Sequence, residues 1–412
     1  CAYWLAEAGW DVAVVEKKQF PREKTCGDGL TPRAVRQLAD MGLEDALAGA
    51  HRYNGLRSVA FGRTMELAWP KTPGFPTYGY TITRHDLDAL VAERAAKAGA
   101  TVLQGTEALE PLEPLEPGRP GALAACSGAV VRSTNRSVSP LRARYVVVAD
   151  GANSRFGRAL GTTRDRSYPQ GMALRGYYRS DRHDDPMIES HLDIRDHNGD
   201  VVPGYGWIFP LGDGRVNVGV GLLSTDRRWK GLNTSRLMDA FVAQAPRSWG
   251  LSPEHSCGPP TGGRLPMGMA VGPRTGENTV VVGDAGGLIN PFNGEGIAYA
   301  YETGRLAASF LGRALTGDGK EAIANYEQRV KDTYGEYYRV GRAFVRLISD
   351  PRRMRACVAT GMHSRAVMSQ LMRIMANLMR PTLAGPAEAS YLGMVKLARL
   401  LEEPDTTRAR YR

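Results

Sequence analysis

The chain has 412 residues, is 42% apolar and carries a formal charge of +10, enough to bury a full core as one large or two to three interlocked domains. Five cysteines, Cys1, Cys26, Cys126, Cys257 and Cys357, are scattered without a CxxC pair, which argues against a disulfide framework or a zinc site and for reduced thiols. No stretch of about 18 residues is apolar enough to span a bilayer and no signal segment opens the chain, so a cytoplasmic location is expected.

The first residues predict a helix from Ala2 to Ala8, stopped by Gly9, then a strand from Asp11 to Val15 that ends in Glu16. This is the second half of a βαβ unit. An acidic residue at the end of its second strand is placed to take ribose hydroxyls, which makes Glu16 a cofactor-binding candidate. The matching first strand and its GxGxxG turn are expected to precede Cys1, so that residues 1–412 alone bind a dinucleotide weakly. Phe20 to Leu30, FPREKTCGDGL, is a turn-rich loop before a helix capped near Thr31 and Pro32, and its Gly27 and Gly29 permit close backbone contact with a ligand. Arg84 precedes an amphipathic helix from His85 to Ala98, and Thr101 to Leu109 predicts one strand. Glu110 to Gly121, with four prolines, reads as a surface loop. Arg144 to Ala149 is a strand running into the turn Asp150-Gly151.

From about residue 162 to 266 the pattern alternates as in an antiparallel sheet. Its centre is PGYGWIFP at 203–210, where Tyr205, Trp207 and Phe209 share one face of one strand as an aromatic wall. Thr279 to Val282 is a buried strand, ended by a turn at Gly283-Asp284. A glycine-opened helix begins at Gly294, Glu295, Gly296 and Ile297, so bare N–H groups and the positive end of its dipole face an anionic ligand. Lys320 to Tyr338 predicts a helix, and Arg339 to Pro381 continues as helices with a stripe of Val367, Met368, Leu371, Met372, Met375, Leu378 and Met379. From Arg339 to the end, 14 Lys and Arg stand against 5 Asp and Glu, so +9 of the net charge is C-terminal. A local anionic partner, membrane headgroups or nucleic acid, is the expected reason, and the methionine stripe is read either as core or as a membrane-surface helix that admits a lipid.

Three separated motifs, CGDG at 26–29, PGYGWIFP at 203–210 and GDAGGLINPFNGEGI at 283–297, together resemble the geranylgeranyl reductase family, FAD enzymes with the para-hydroxybenzoate hydroxylase type of fold. The resemblance implies an α/β protein. Its Rossmann-like FAD-binding domain would take in residues 1–160 and 267–338, with 53–80 contributing to the substrate domain. An antiparallel substrate sheet would span 161–266, and a basic helical region 339–412. It implies FAD held by Glu16, Cys26, Gly27, Gly29, Arg84, Ala108, Asp284, Gly296 and Ile297, with no metal. Cys26, Tyr205, Trp207 and Phe209 would be the catalytic set lining a prenyl cavity. The reaction implied is saturation of an isoprenoid C=C bond of a prenyl lipid, first an isoprene unit of menaquinone. Geranylgeranyl diphosphate or digeranylgeranylglycerophospholipid is the alternative, then an FAD monooxygenase or halogenase. The electron donor stays open among NAD(P)H, ferredoxin and reduced quinone. The expected surroundings are the inner face of the cell membrane, with no nucleic acid.

Overall fold

Ala2–Glu7 forms the first helix and Ala13–Glu16 the strand after it, in a computed structural model that describes residues 1–117, 120–225, 229, 231–380 and 385–401. That strand pairs in parallel with Thr101–Gln104, Glu16 standing opposite Gln104. The single strand expected over Thr101 to Leu109 is two, because Gly105 takes a φ of +66° and a Cβ there would lie 2.6 Å from Thr134 Cγ2. The second piece, Glu107–Pro111, leaves the parallel pair and joins Gly128–Arg132 in a small antiparallel sheet. Val146–Val148 and Thr279–Val281 form another parallel pair, with every side chain of the second strand buried, as β-branched runs covered on both faces are.

Among the described residues the largest sheet has seven strands, in the order Thr261–Pro266, Gln170–Arg179, Arg215–Leu223, Gly204–Pro210, Met187–His191, Gly55–Ala60 and Arg63–Ala68. Its pairs are antiparallel except Met187–His191 with Gly55–Ala60. Alternation sends Leu174, Ile208, Val216, Val218, Val220 and Leu222 to one face, where Leu237, Met238 and Phe241 of the helix Thr234–Gln244 cover them. The register that pairs Tyr205 with Gly221, Trp207 with Gly219 and Phe209 with Asn217 puts those six on the opposite face.

Gly319–Ile348 is one helix of 30 residues. It passes Arg339 without the break expected after Tyr338, because Val340 and Val345 continue its buried stripe. Gly341 lets it approach closely: a Cβ there would sit 2.4 Å from Pro291 Cγ. The helix Arg365–Met375 turns Met368 and Met372 inward against Tyr53, Leu67 and Trp69, while Val367 is 53% exposed, so the inner part of the methionine stripe is core. The last basic residues, Arg408, Arg410 and Arg412, lie outside the described residues. No helix among the described residues is long and apolar enough to cross a membrane.

The turn after Thr279–Val281 is fixed by Arg274, which is 3% exposed. Its guanidinium donates to the Gly286 carbonyl (2.9 Å) and the Met269 carbonyl (2.8 Å) and pairs with Glu327 on the long helix (2.9 Å). Burial works against the Glu327 carboxylate, and Arg274 with Lys331 holds its pKa below the usual range. Arg274→Ala strands that charge, and a loss of about 3–5 kcal/mol in urea unfolding is expected.

Candidate active site

The CGDG loop is held on the aromatic face of the large sheet by one amide. Asn217 is fully buried, donates from Nδ2 to the Cys26 carbonyl (2.9 Å) and to Asp28 Oδ2 (2.8 Å), and accepts from Trp207 Nε1 at Oδ1 (2.9 Å). Both amide hydrogens and the carbonyl are thereby used. Asp28 adopts a φ of +62°, unusual for a residue with a Cβ, and its carboxylate also accepts from the Tyr177 hydroxyl (2.7 Å) and the Arg84 backbone N–H (3.3 Å). Burial pushes Asp28 up to about 6, over the opposing pull of Tyr177, Asn217, Arg175 and Arg84.

The wall itself depends on missing side chains. A Cβ on Gly219 would lie 2.1 Å from Trp207 Cζ2, so the indole lies against bare backbone. Trp207 is 5.7 Å from Tyr205 and 6.3 Å from Phe209, centroid to centroid. The space a Cβ on Gly27 or Gly29 would need is bounded by Phe209 at 3.4 and 3.1 Å. Tyr205 donates to the Asn293 carbonyl (2.8 Å), which brings the second glycine loop to the same wall. Burial and then the nearby Cys26 push Tyr205 up to about 12.

In that second loop Gly283 has a φ of +59° and its N–H donates to Thr303 Oγ1 (3.1 Å), so the turn is pinned to the helix Ile297–Arg313 that follows. Gly296 is the N-cap of that helix, and a Cβ on it would stand 3.0 Å from Asp284 Oδ1. Asp284 therefore lies beside the bare N–H groups of the helix start, with Lys24 Nζ 3.7 Å away. Between Gly294 and Gly296, Glu295 accepts a short hydrogen bond from the Thr31 hydroxyl at Oε1, and its Oε2 is sealed from solvent without a partner. Burial pushes Glu295 up to about 7.

At the other end, Glu16 accepts the Lys18 backbone N–H (2.9 Å) and pairs with Arg22 (3.1 Å). Arg22 reaches on to Asp88 (2.5 Å), which also holds Arg84 (2.7 Å). Burial opposes the Arg84 charge, but Cys26 and Asp88 hold it above its ordinary value. Ala108 sits two residues past Thr106, whose N–H donates to the Glu16 carbonyl (3.0 Å), so it shares the Glu16 end. The structure thus gathers Cys26, Gly27, Gly29, Arg84, Tyr205, Trp207 and Phe209 in one cluster. Asp284, Gly296 and Ile297 adjoin it through Asn293, and Glu16 and Ala108 connect to it only through the Arg22–Asp88–Arg84 chain. Asp28, Tyr177, Asn217 and Glu295 were not anticipated. The available signals were an acid set between glycines in both motifs and one Asn in the valine run Arg215–Leu223. Among the described residues no group of three His, Cys, Asp or Glu is arranged for a metal.

Because Asp28 binds its proton more tightly folded than unfolded, its contribution falls as pH rises through about 6 from its ordinary 3.8, by about 3 kcal/mol. Urea titrations at pH 5 and pH 7 should show the wild type losing the part of this that falls in that window, about 1.3 kcal/mol, and Asp28→Asn losing none of it.

Comparison with known proteins places this geometry. An FAD binding domain family matches residues 1–174. The chain is 40% identical over 377 residues to a menaquinone reductase of Mycobacterium tuberculosis strain H37Rv, covering 92% of this chain and 88% of that one. It is 29% identical over 348 residues to digeranylgeranylglycerophospholipid reductase 1 of Methanopyrus kandleri, covering 82% and 83%. The crystal structure of a geranylgeranyl bacteriochlorophyll reductase-like protein from Thermoplasma acidophilum shares the fold, with a TM-score of 0.71 at 23% identity over 97% of this chain and 95% of that one.

Proposed function

The chain belongs to the geranylgeranyl reductase family of FAD-dependent oxidoreductases, and from that premise we propose that its substrate is menaquinone, of which it saturates an isoprene unit. What supports the choice of lipid is the 40% identity across nearly the whole chain to a protein named menaquinone reductase, against 29% to the phospholipid reductase. The observation that carries the chemistry is the locked indole. Trp207 lies on Gly219, is hydrogen-bonded through Asn217 to the CGDG loop, and is 5% exposed.

The residues present fit FAD. Glu16 ends the strand where ribose hydroxyls are taken, and Asp284 stands beside a helix start whose Gly296 has no room for a Cβ. On this reading Glu16 and Ala108 hold the adenosine side, Arg84, Gly27, Gly29 and the Cys26 backbone the ring side, and Asp284, Gly296 and Ile297 the ribityl and ring edge. FAD, when bound, supplies the two electrons and the hydride. The large sheet serves the substrate, and residues 1–160 and 267–338 the cofactor, as the domain division above proposes.

An isolated trisubstituted alkene has no carbonyl to spread negative charge, so protonation leads and leaves tertiary cationic character on carbon. The faces of Tyr205 and Trp207 stabilise that charge, and in a water-free pocket such contact is worth about 2 kcal/mol, near thirtyfold in rate. The wall also excludes the water that would trap the cation. Trp207→Leu keeps the pocket apolar and removes the π face. Single-turnover oxidation of the reduced enzyme by menaquinone should slow about thirtyfold at saturating lipid, and an unchanged rate assigns Trp207 to shape alone. Asp284→Ala should weaken FAD binding, read by flavin fluorescence, by about 1.5–3 kcal/mol, the range for hydrogen bonds to a charged group.

The same reading takes the C-terminal helices to the membrane. Arg346, Arg352, Arg353, Arg355 and Arg365 are exposed beside Leu347 and Val367, and Lys396 and Arg399 beside Leu392, Leu397 and Leu400. Near an anionic surface each such cation contributes about 1 kcal/mol. Flotation on anionic vesicles should fall steeply with salt, and equal flotation on neutral vesicles removes the electrostatic part of the proposal.

A further inference from the structure

We propose that Glu295 is the acid that protonates the alkene, an inference that rests on the prenyl-reductase reading. The step needs a group that holds a proton near neutral pH, aims it at substrate and has no other use for it. Asp28 is buried, but both its oxygens are taken as acceptors, by Tyr177 and Asn217 on one and by the Arg84 N–H on the other. The Tyr205 hydroxyl already donates to the Asn293 carbonyl. Glu295 differs from both: Oε1 accepts from Thr31, the Asn293 side chain adds a weaker pull toward the charged form, and Oε2 is sealed from solvent without a hydrogen-bond partner. A bare carboxylate oxygen there is costly, whereas an Oε2–H keeps a proton that no protein group accepts.

Its position suits the task. Thr31 directly follows the strand Gly29–Leu30, and Phe209 packs on Gly29. Gly294, on the other side of Glu295, has its open Cβ position 3.4 Å from the Tyr205 hydroxyl. The carboxyl is therefore clamped between the two glycine loops where they meet the aromatic wall. The nearest cation, Arg33, is committed to Glu302 at 2.7 Å, and Glu302 itself adds negative charge that favours the neutral acid. In the reaction the alkene π pair takes the Oε2 proton to form the first C–H bond and leaves Glu295 as carboxylate. The cationic carbon accepts hydride from the reduced flavin, which is oxidised, and solvent returns the proton to Glu295.

The test is Glu295→Gln, which keeps the acceptor for Thr31 and loses the titrating proton. In the infrared, the wild-type-minus-variant difference should show a carboxylic C=O band that disappears as pH rises through about 7, apart from the Asp28 band that both proteins keep and that titrates near 6. Single-turnover oxidation of the dithionite-reduced enzyme by menaquinone should drop by about a hundredfold or more, the usual scale for general acid catalysis. The wild-type rate should fall about tenfold per pH unit above neutrality and the residual variant rate should be flat. Thr31→Val, which removes a hydrogen bond to the ionised form, should carry the wild-type plateau to higher pH. A variant within twofold of wild type with the same pH profile, a wild-type-minus-variant infrared difference with no carboxylic band titrating through about 7, or no shift in Thr31→Val overturns the proposal. Failure of the wild type to reduce any prenyl lipid instead overturns the functional reading, and the infrared titration still decides whether Glu295 holds a proton.

Discussion

The site depends on the Asn217 side chain more than on any other single group. Its amide joins a loop, a strand and an indole that are remote in sequence: the Cys26 carbonyl and Asp28 from the CGDG loop, and Trp207 from the neighbouring strand. The Trp207 N–H is buried and the Cys26 carbonyl half-buried, and each would lose its partner without it, at about 1–3 kcal/mol apiece. Asp28 in turn holds a left-handed backbone conformation that lets Gly27 and Gly29 face Phe209. A charge placed in that loop is tolerated because the donors and cations around it oppose the effect of burial.

How much of this could be read from the residues differs by kind of signal. The strand–turn–helix around Asp284 was legible because a β-branched run, a turn glycine and a glycine-opened helix are local features, and they form Thr279–Val281 and Ile297–Arg313. The shared face of Tyr205, Trp207 and Phe209 followed from period two alone. The extra strands Gly55–Ala60 and Arg63–Ala68 on the same sheet were visible only as a contribution from 53–80, and the parallel pairing through Met187–His191 had no local sign. Asp28, Tyr177 and Asn217 lie 149 to 189 positions apart in the contacts that join them, so no motif window contains the set. Gly105 was passed over inside an apparently continuous strand because a positive φ leaves no mark except the glycine itself.

Electrostatics explain why two acids near one wall behave differently. Asp28 is met by donors from three directions, which partly offsets its burial. Glu295 is opposed in its burial only by Thr31, the weaker pull of Asn293 and an arginine whose charge Glu302 already balances, with Tyr334 donating to the Glu302 carboxylate (2.7 Å). Arg33 is fixed further by the Asn377 carbonyl (2.8 Å), so it cannot swing to Glu295 without breaking both contacts. A second negative charge in this enclosure would be uncompensated, and the enclosure therefore selects the protonated form.

The same contacts tie the C-terminal helices to the chemistry. Asn290 donates to the Met375 carbonyl (3.0 Å) and the Tyr337 hydroxyl (3.1 Å), and Asn293 also reaches the Met375 carbonyl (3.3 Å). Thr72 donates to the Leu378 carbonyl (2.9 Å), and Arg33 to Asn377. Residues 375–378 thus form a peg between the glycine loop that carries Glu295 and the face of the large sheet lined by Leu67 and Ile188. The helix leading into that peg, Arg365–Met375, presents Met368 and Met372 to the core and Arg365 and Val367 to solvent. Unbranched thioethers on the inner side fill the space against the sheet with little strain, while the hydrogen-bonded peg fixes the C-terminal end of the helix beside the loop that carries Glu295.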